Sequence, residues 1–206
     1  MENYTETSTG RIQKVSIVPE QVRLNDFIVA DDVWYSIVAI YKYMEPEDED
    51  DYWFDFTGES ETGEKIYIGV DKNEEDMWEY AVWEIVPKKE VRSDEKLSKI
   101  GSNGHSNKIE YNGIEYKISY EGDKLYEASV ESFVKGRTKN PVKYPVLISD
   151  LEDNSGENFL CIEIDEDEVV ELSIGKYITD VELVKNREEK PKFMDKIKNI
   201  FGGRRL

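Results

Sequence analysis

Short apolar runs with a two-residue period set what this chain can fold into. In "VWYSIVAIYKY" (33–43), Val33, Tyr35, Ile37, Ala39 and Tyr41 fall on one face, with Trp34, Ser36, Val38 and Ile40 on the other. Side chains alternate along a strand, and both faces here are largely apolar, so the run predicts a strand covered on both sides. "MWEYAVWEIV" (77–86) sets Met77, Ala81, Trp83 and Ile85 against Trp78, Tyr80, Val82 and Val86 in the same way. Further runs, among them "YWFDF", "KIYIGV", "KYPVLIS", "FLCIEI" and "YITDVELV", are short and rich in β-branched and aromatic residues. Gly, Asp, Asn and Glu separate them, which predicts a mainly β protein of antiparallel sandwich- or barrel-like architecture.

The runs fall into two sets. Between them "PKKEVRSDEKLSKIGSNGHSNK" (87–108) is polar, and its second half is rich in Gly, Ser and Asn, the composition of a linker. The expected organisation is an N-terminal lobe over 11–92, a linker over 93–107, a C-terminal lobe over 108–186 and a helical tail over 191–203. Each lobe holds a Gly-Glu turn (Gly63-Glu64, Gly156-Glu157), an apolar strand, an acidic turn opened by Asp71 or Asp165, and a closing strand. That shared order predicts two related lobes.

Charge narrows the partners. The chain has 46 acidic and 27 basic residues, net −19. Lys185 to Leu206 carries eight basic and three acidic residues, net +5, leaving −24 on the rest. An anionic body repels nucleic acid and anionic lipid, so no nucleic-acid binding is expected. With 24 aromatic residues, 12% of the chain, the body is not a disordered acidic segment. A single cysteine, Cys161, permits no internal disulfide, and the polar start "MENYTETSTG" lacks the apolar core of a secretory signal. No run reaches 18 apolar residues. These features point to the cytoplasm, or to a peripheral place at the inner face of the cell membrane.

Motifs of catalysis are not found. Cys161 lies inside a predicted strand and His105 in the Gly/Ser linker, so the pair lacks the rigid orientation that nucleophilic catalysis needs. One Cys and one His cannot make a zinc site, and neither acidic turn fits the calcium-loop spacing. No phosphate loop, dinucleotide fingerprint or nucleophile elbow occurs. The expectation is a non-enzyme with no cofactor and no metal.

Two stretches suggest binding instead. "EPEDEDDYWFDF" sets Glu47, Asp48, Glu49, Asp50 and Asp51 beside Trp53, an anionic patch with an aromatic anchor suited to a basic protein partner. In "KFMDKIKNIFGGRRL", Phe193, Met194, Ile197, Ile200 and Phe201 share one face of a helix, with Lys196 and Lys198 on the other and Arg204 and Arg205 after it. Such a helix packs on its own body, lies on an anionic membrane or enters a partner's groove.

Tyr116 in "GIEYKI", "FLCIEI" before an acidic hairpin, and Gly175 in "IGKYITDVEL" resemble a bacterial β-rich family known as domain of unknown function 4178. "LNDFIVADDVWYSIVAIYKY" with "YWFDF" and "KIYIGVD" resembles a second, more divergent copy. The resemblance implies a noncatalytic module that accompanies cytoplasmic, membrane-associated stress-response systems. The reading that follows is an adaptor recruited through its tail. The alternative is an acidic immunity or inhibitor protein that neutralises a basic enzyme or mimics nucleic acid.

Overall fold

The computed structural model describes residues 4–7, 10–13, 15–46, 48, 50–73, 75–95, 97–100, 107–118, 125–137 and 141–186. Fourteen strands lie among them. Two short ones, β1 (Tyr4–Thr7) and β2 (Gly10–Gln13), pair only with each other. The first half of the chain then supplies β3 (Phe27–Ala30), β4 (Val33–Met44), β5 (Tyr52–Glu59), β6 (Lys65–Lys72) and β7 (Trp78–Ile85). The second half supplies β8 (Lys108–Tyr111), β9 (Ile114–Ile118), β10 (Tyr126–Val134), β11 (Val142–Asp153), β12 (Asn158–Asp165), β13 (Val170–Ile178) and β14 (Val181–Val184).

Eight of these strands close into one antiparallel barrel. β4–β5–β6–β7 form one meander and β10–β11–β12–β13 another. The last strands of the two meanders pair, Gly175 opposite Trp83, and so do the first, Val130 opposite Tyr43. The mainly β expectation holds, but two separate lobes are not what this pairing builds. Each half gives four strands to a shared wall.

The two meanders turn in the same way. Gly63 in the β5–β6 turn and Gly156 in the β11–β12 turn both have positive φ. In the β6–β7 turn, Asn73 Oδ1 accepts from the Glu75 and Met77 amides, both at 3.0 Å. In the β12–β13 turn, Asp165 Oδ1 accepts from the Asp167 and Val169 amides at 3.0 and 2.9 Å. A short side-chain acceptor that captures two amides stabilises a tight turn without a longer loop. Asp71, expected to open its turn, is still within β6.

A bulge at Val38 breaks the alternation of β4. Ile37 stands opposite Gly58 and Ala39 opposite Thr57, so one residue is left over. Ile37 and Ile40 therefore share the outer face, while Ala39, Tyr41 and Tyr43 turn inward. The even two-face reading of this strand fails there, because an unpaired residue shifts every later side chain to the opposite face.

Both faces of the barrel wall are covered. Outside β4–β6, the extension β3–β14 buries Ile28 and Leu183 against Ile37, Phe56 and Ile68. Outside β11–β13, the hairpin β8–β9 and a helical segment bury Tyr116 and Leu97 against Leu160, Ile162 and Leu172. That segment comprises α1 (Lys88–Ser93) and a short 3₁₀ turn (Leu97–Lys99), and it contributes Val91, Leu97 and Ile100. Part of the expected linker is thus core-covering structure; 101–106 and His105 lie outside the described residues. The expected tail helix, 191–203, lies outside them too. Among the described residues, no helix is long and apolar enough to cross a membrane.

Candidate functional site

The barrel encloses a cavity of about 840 Å³. Strand register decides which side chains reach it, since directly paired residues point to the same side. Tyr43 pairs with Trp53 and Tyr41 with Asp55 across β4 and β5. Asp71 opposes Glu79 across β6 and β7, and Glu163 opposes Glu171 across β12 and β13. Asp150 opposes Cys161 across β11 and β12. All of them line the cavity.

Trp83 lies in a slot between two glycines on the neighbouring strands. A Cβ on Gly175 would approach the indole ring to 2.5 Å, and one on Gly69 would overlap Trp83 Nε1. Neither position tolerates a side chain while the indole stays in place. The Nε1–H is enclosed and, among the described residues, has no hydrogen-bond acceptor.

Aromatic faces cover the side walls. Tyr43 and Trp53 stack with centroids 5.3 Å apart and 7° between planes, and Tyr126 meets Trp53 edge-on at 6.3 Å. At the open end, Phe159 meets Tyr177 at 4.6 Å in a T-shaped pair, with Tyr177 54% exposed.

Burial raises the pKa of the Asp55, Glu163, Asp150 and Asp71 carboxyls inside the barrel. Burial away from bulk water pushes Asp55 up to about 8, helped by Glu163, Asp150 and Asp71, with the Tyr43 hydroxyl opposing. Burial likewise pushes Glu163 up to about 7, against a hydrogen bond from Tyr43. That bond runs from the Tyr43 hydroxyl to Glu163 Oε2 at 2.9 Å. Asp150 is raised by burial even though Tyr126 donates to it at 2.6 Å. The Cys161 thiol is driven well up by burial and by Asp150 and Glu163, so it is a poor nucleophile.

Residues singled out in the sequence are scattered by the fold. Trp53 is not on the outer surface beside the acidic run; it stacks within the barrel. Asp51 lines the open end, Asp48 Oδ1 accepts from the Asp50 amide at 3.0 Å within the turn, and Glu47 and Glu49 lie outside the described residues. So do Phe193, Met194, Lys196, Ile197, Lys198, Ile200, Phe201, Arg204 and Arg205. Among the described residues, no group of three or more His, Cys, Asp or Glu is arranged to hold a metal ion.

Sequence reasoning missed the lumen itself. Its one visible signal was acidic residues at inward-facing positions of otherwise apolar strands: Asp55 in "YWFDF", Glu163 in "FLCIEI" and Asp71 after "KIYIGV". An isolated carboxyl in an apolar strand is costly to bury, so its presence asks for a reason.

A closed eight-stranded antiparallel barrel with an acidic, aromatic interior defines a β protein built around an internal chamber. The chain matches the family described as domain of unknown function (DUF4178) over residues 22–180, and it belongs to that family. The match spans all eight strands of the barrel and the segment between its two meanders. Searches of curated proteins and of solved structures return no match.

Proposed function

We propose that this protein is a noncatalytic binding module whose barrel lumen is its binding site. The observation that carries this is the chamber of about 840 Å³ inside a closed wall. Eight-stranded barrels either fill with side chains or hold one small ligand, and this volume lies in the range of ligand pockets. The lining combines acidic groups with the π faces and polar tips of tyrosines and tryptophans, which suits recognition of a small guest. The cationic 192–206 tail would couple the barrel to a partner or an anionic surface, the adaptor role expected from the sequence.

The matched turns support reading the two halves as duplicated copies. So do the facing carboxyls, Asp71 with Glu79 in one meander and Glu163 with Glu171 in the other.

A thermal-shift screen of small organic molecules of all charge types, on the full chain and on Ser173→Trp, tests the proposal. Ser173 faces the lumen, so an indole there would take up part of the chamber and narrow it. A compound that stabilises the native protein but not the narrowed variant supports the reading. Equal stabilisation of both proteins, or of neither, overturns it.

A further inference from the structure

Resting on the reading of the lumen as a binding site, we infer that its guest is a small organic cation. It is a protonated amine held between Asp55 and Glu163, with its apolar body against Tyr43, Trp53 and Trp83.

Charge inside the barrel carries the first part of the argument. Asp71 faces Glu79 and Glu163 faces Glu171 directly across paired strands. Like charges directly opposite each other destabilise a sheet. Among the described lining residues the one cation is Lys72, and its Nζ is turned away: it bridges Asp76 at 2.6 Å and lies over the Trp78 ring.

Elsewhere this chain does compensate a buried carboxylate. Asp26, 2% exposed, accepts from Lys185 Nζ at 2.9 Å, from the Arg23 amide at 2.8 Å and from the Asn186 amide at 3.0 Å. Asp55 and Glu163 are given no such cation among the described residues. A buried charge is costly unless something pairs with it, so without a partner these carboxyls hold their protons. A cationic guest would supply the counter-charge that lets them ionise.

The walls fix the rest of the guest's chemistry. Stacked Tyr43 and Trp53 present π faces, which attract an ammonium group and cover the carbon skeleton attached to it. Trp83 adds a second observation, its enclosed and unpartnered Nε1–H. A Cβ at Gly69 would overlap that nitrogen and would lie 3.2 Å from Asp55 Oδ1, so both groups sit over the same glycine. A guest that keeps Asp55 ionised supplies the indole with an acceptor in its neighbour. An anion would meet acidic groups on every side, and a neutral guest would give them no counter-charge. Glu45 and Asp51 at the open end draw cations inward.

The test titrates the full chain with phenethylamine, tyramine, cadaverine and spermidine, followed by tryptophan fluorescence and calorimetry. Phenethyl alcohol and 3-phenylpropionate are the neutral and anionic counterparts. At least one amine should saturate with a Kd below about 1 mM and bind about tenfold or more tighter than either counterpart. Asp55→Asn and Glu163→Gln should each weaken that amine about tenfold or more while near-UV circular dichroism stays native, since each removes a charged partner of the ammonium group.

If a counterpart binds as tightly and competes with the amine, the cation inference falls and the binding barrel stands. If amines bind both carboxyl variants as well as the native protein, the assigned site is wrong. If no amine binds, the inference is overturned; the Ser173→Trp screen then decides separately whether the chamber binds anything.

Discussion

The Tyr43 hydroxyl donates to Glu163 Oε2 at 2.9 Å, linking β4 to β12, two strands that are not neighbours in the barrel. The bond crosses the lumen and joins the two halves of the chain from inside. Tyr43→Phe removes the donor and leaves the carboxyl with less support. The cost should be about 1 kcal/mol where Glu163 is ionised and smaller where it is protonated. Urea melts at about pH 8.5 and about pH 5.5 check this, with a larger shift in midpoint expected at the higher pH.

Stability should fall as pH rises through neutrality. In the unfolded chain Asp55 and Glu163 lose their protons in the ordinary carboxyl range. In the folded barrel they keep them up to about 8 and about 7. Between those limits the native state binds more protons than the unfolded one, so the slope of stability against pH is negative. The groups that set these values are Asp150 and Asp71 around Asp55, Glu171 and Asp165 around Glu163, and Tyr43 beside both. Thermal melts at fixed ionic strength should give a higher Tm at about pH 5.5 than at about pH 8.5. Asp55→Asn should flatten that difference and raise Tm at the alkaline end, the reverse of its effect on amine binding. A Tm that climbs over this interval in the native protein but not in Asp55→Asn would refute the assignment.

Gly69 and Gly175 exist for Trp83. Either glycine replaced by alanine puts a methyl into the indole, and overpacking of this kind costs about 1–3 kcal/mol. The loss should disappear in a Trp83→Leu background, where the slot is vacated. A double-mutant cycle on chemical denaturation measures the coupling, and additive effects of the two changes would show that the indole and the glycines are independent.

Much of this fold was legible because period-two patterning survives even where both faces of a strand are covered. The strands β5, β6, β7, β11 and β12 stand where apolar alternation put them. Closure was not legible. Pairings such as Val130 with Tyr43 join residues far apart in the chain, and no local pattern encodes which edge meets which. The bulge at Val38 was hidden for a related reason, since an apolar residue on either side of it leaves the sequence looking regular. The lumen followed from closure, so Trp53 read as a surface anchor beside the acidic turn until its inward register was known.

Adjacent residues of β12 should respond oppositely to truncation. Leu160 is fully buried in the outer core, whereas Cys161 faces the lumen. Leu160→Ala opens a cavity in a packed core and should cost about 2–5 kcal/mol. Cys161→Ala removes one sulfur atom from the edge of an existing chamber and should change stability by less than about 1 kcal/mol. Equilibrium unfolding of the two variants provides the comparison, and similar losses at both would mean that the chamber is packed in solution.

The tail and the lumen should be separable. If it is helical, the 192–206 sequence would set its apolar residues on one face and its lysines on the other, and a helix of that length is marginal when free in water. Contact with an anionic bilayer would supply both the apolar phase and the counter-charge. The full chain should therefore float with anionic liposomes, less so with neutral ones, and less again as salt rises. A chain ending at Lys190 should stay in solution under all of these conditions. Its amine affinity should match that of the full chain within about twofold, because none of the described lumen residues lies beyond Tyr177. Flotation that persists without the tail would move the lipid contact to the barrel, and loss of amine binding without it would make the tail part of the chamber's entrance.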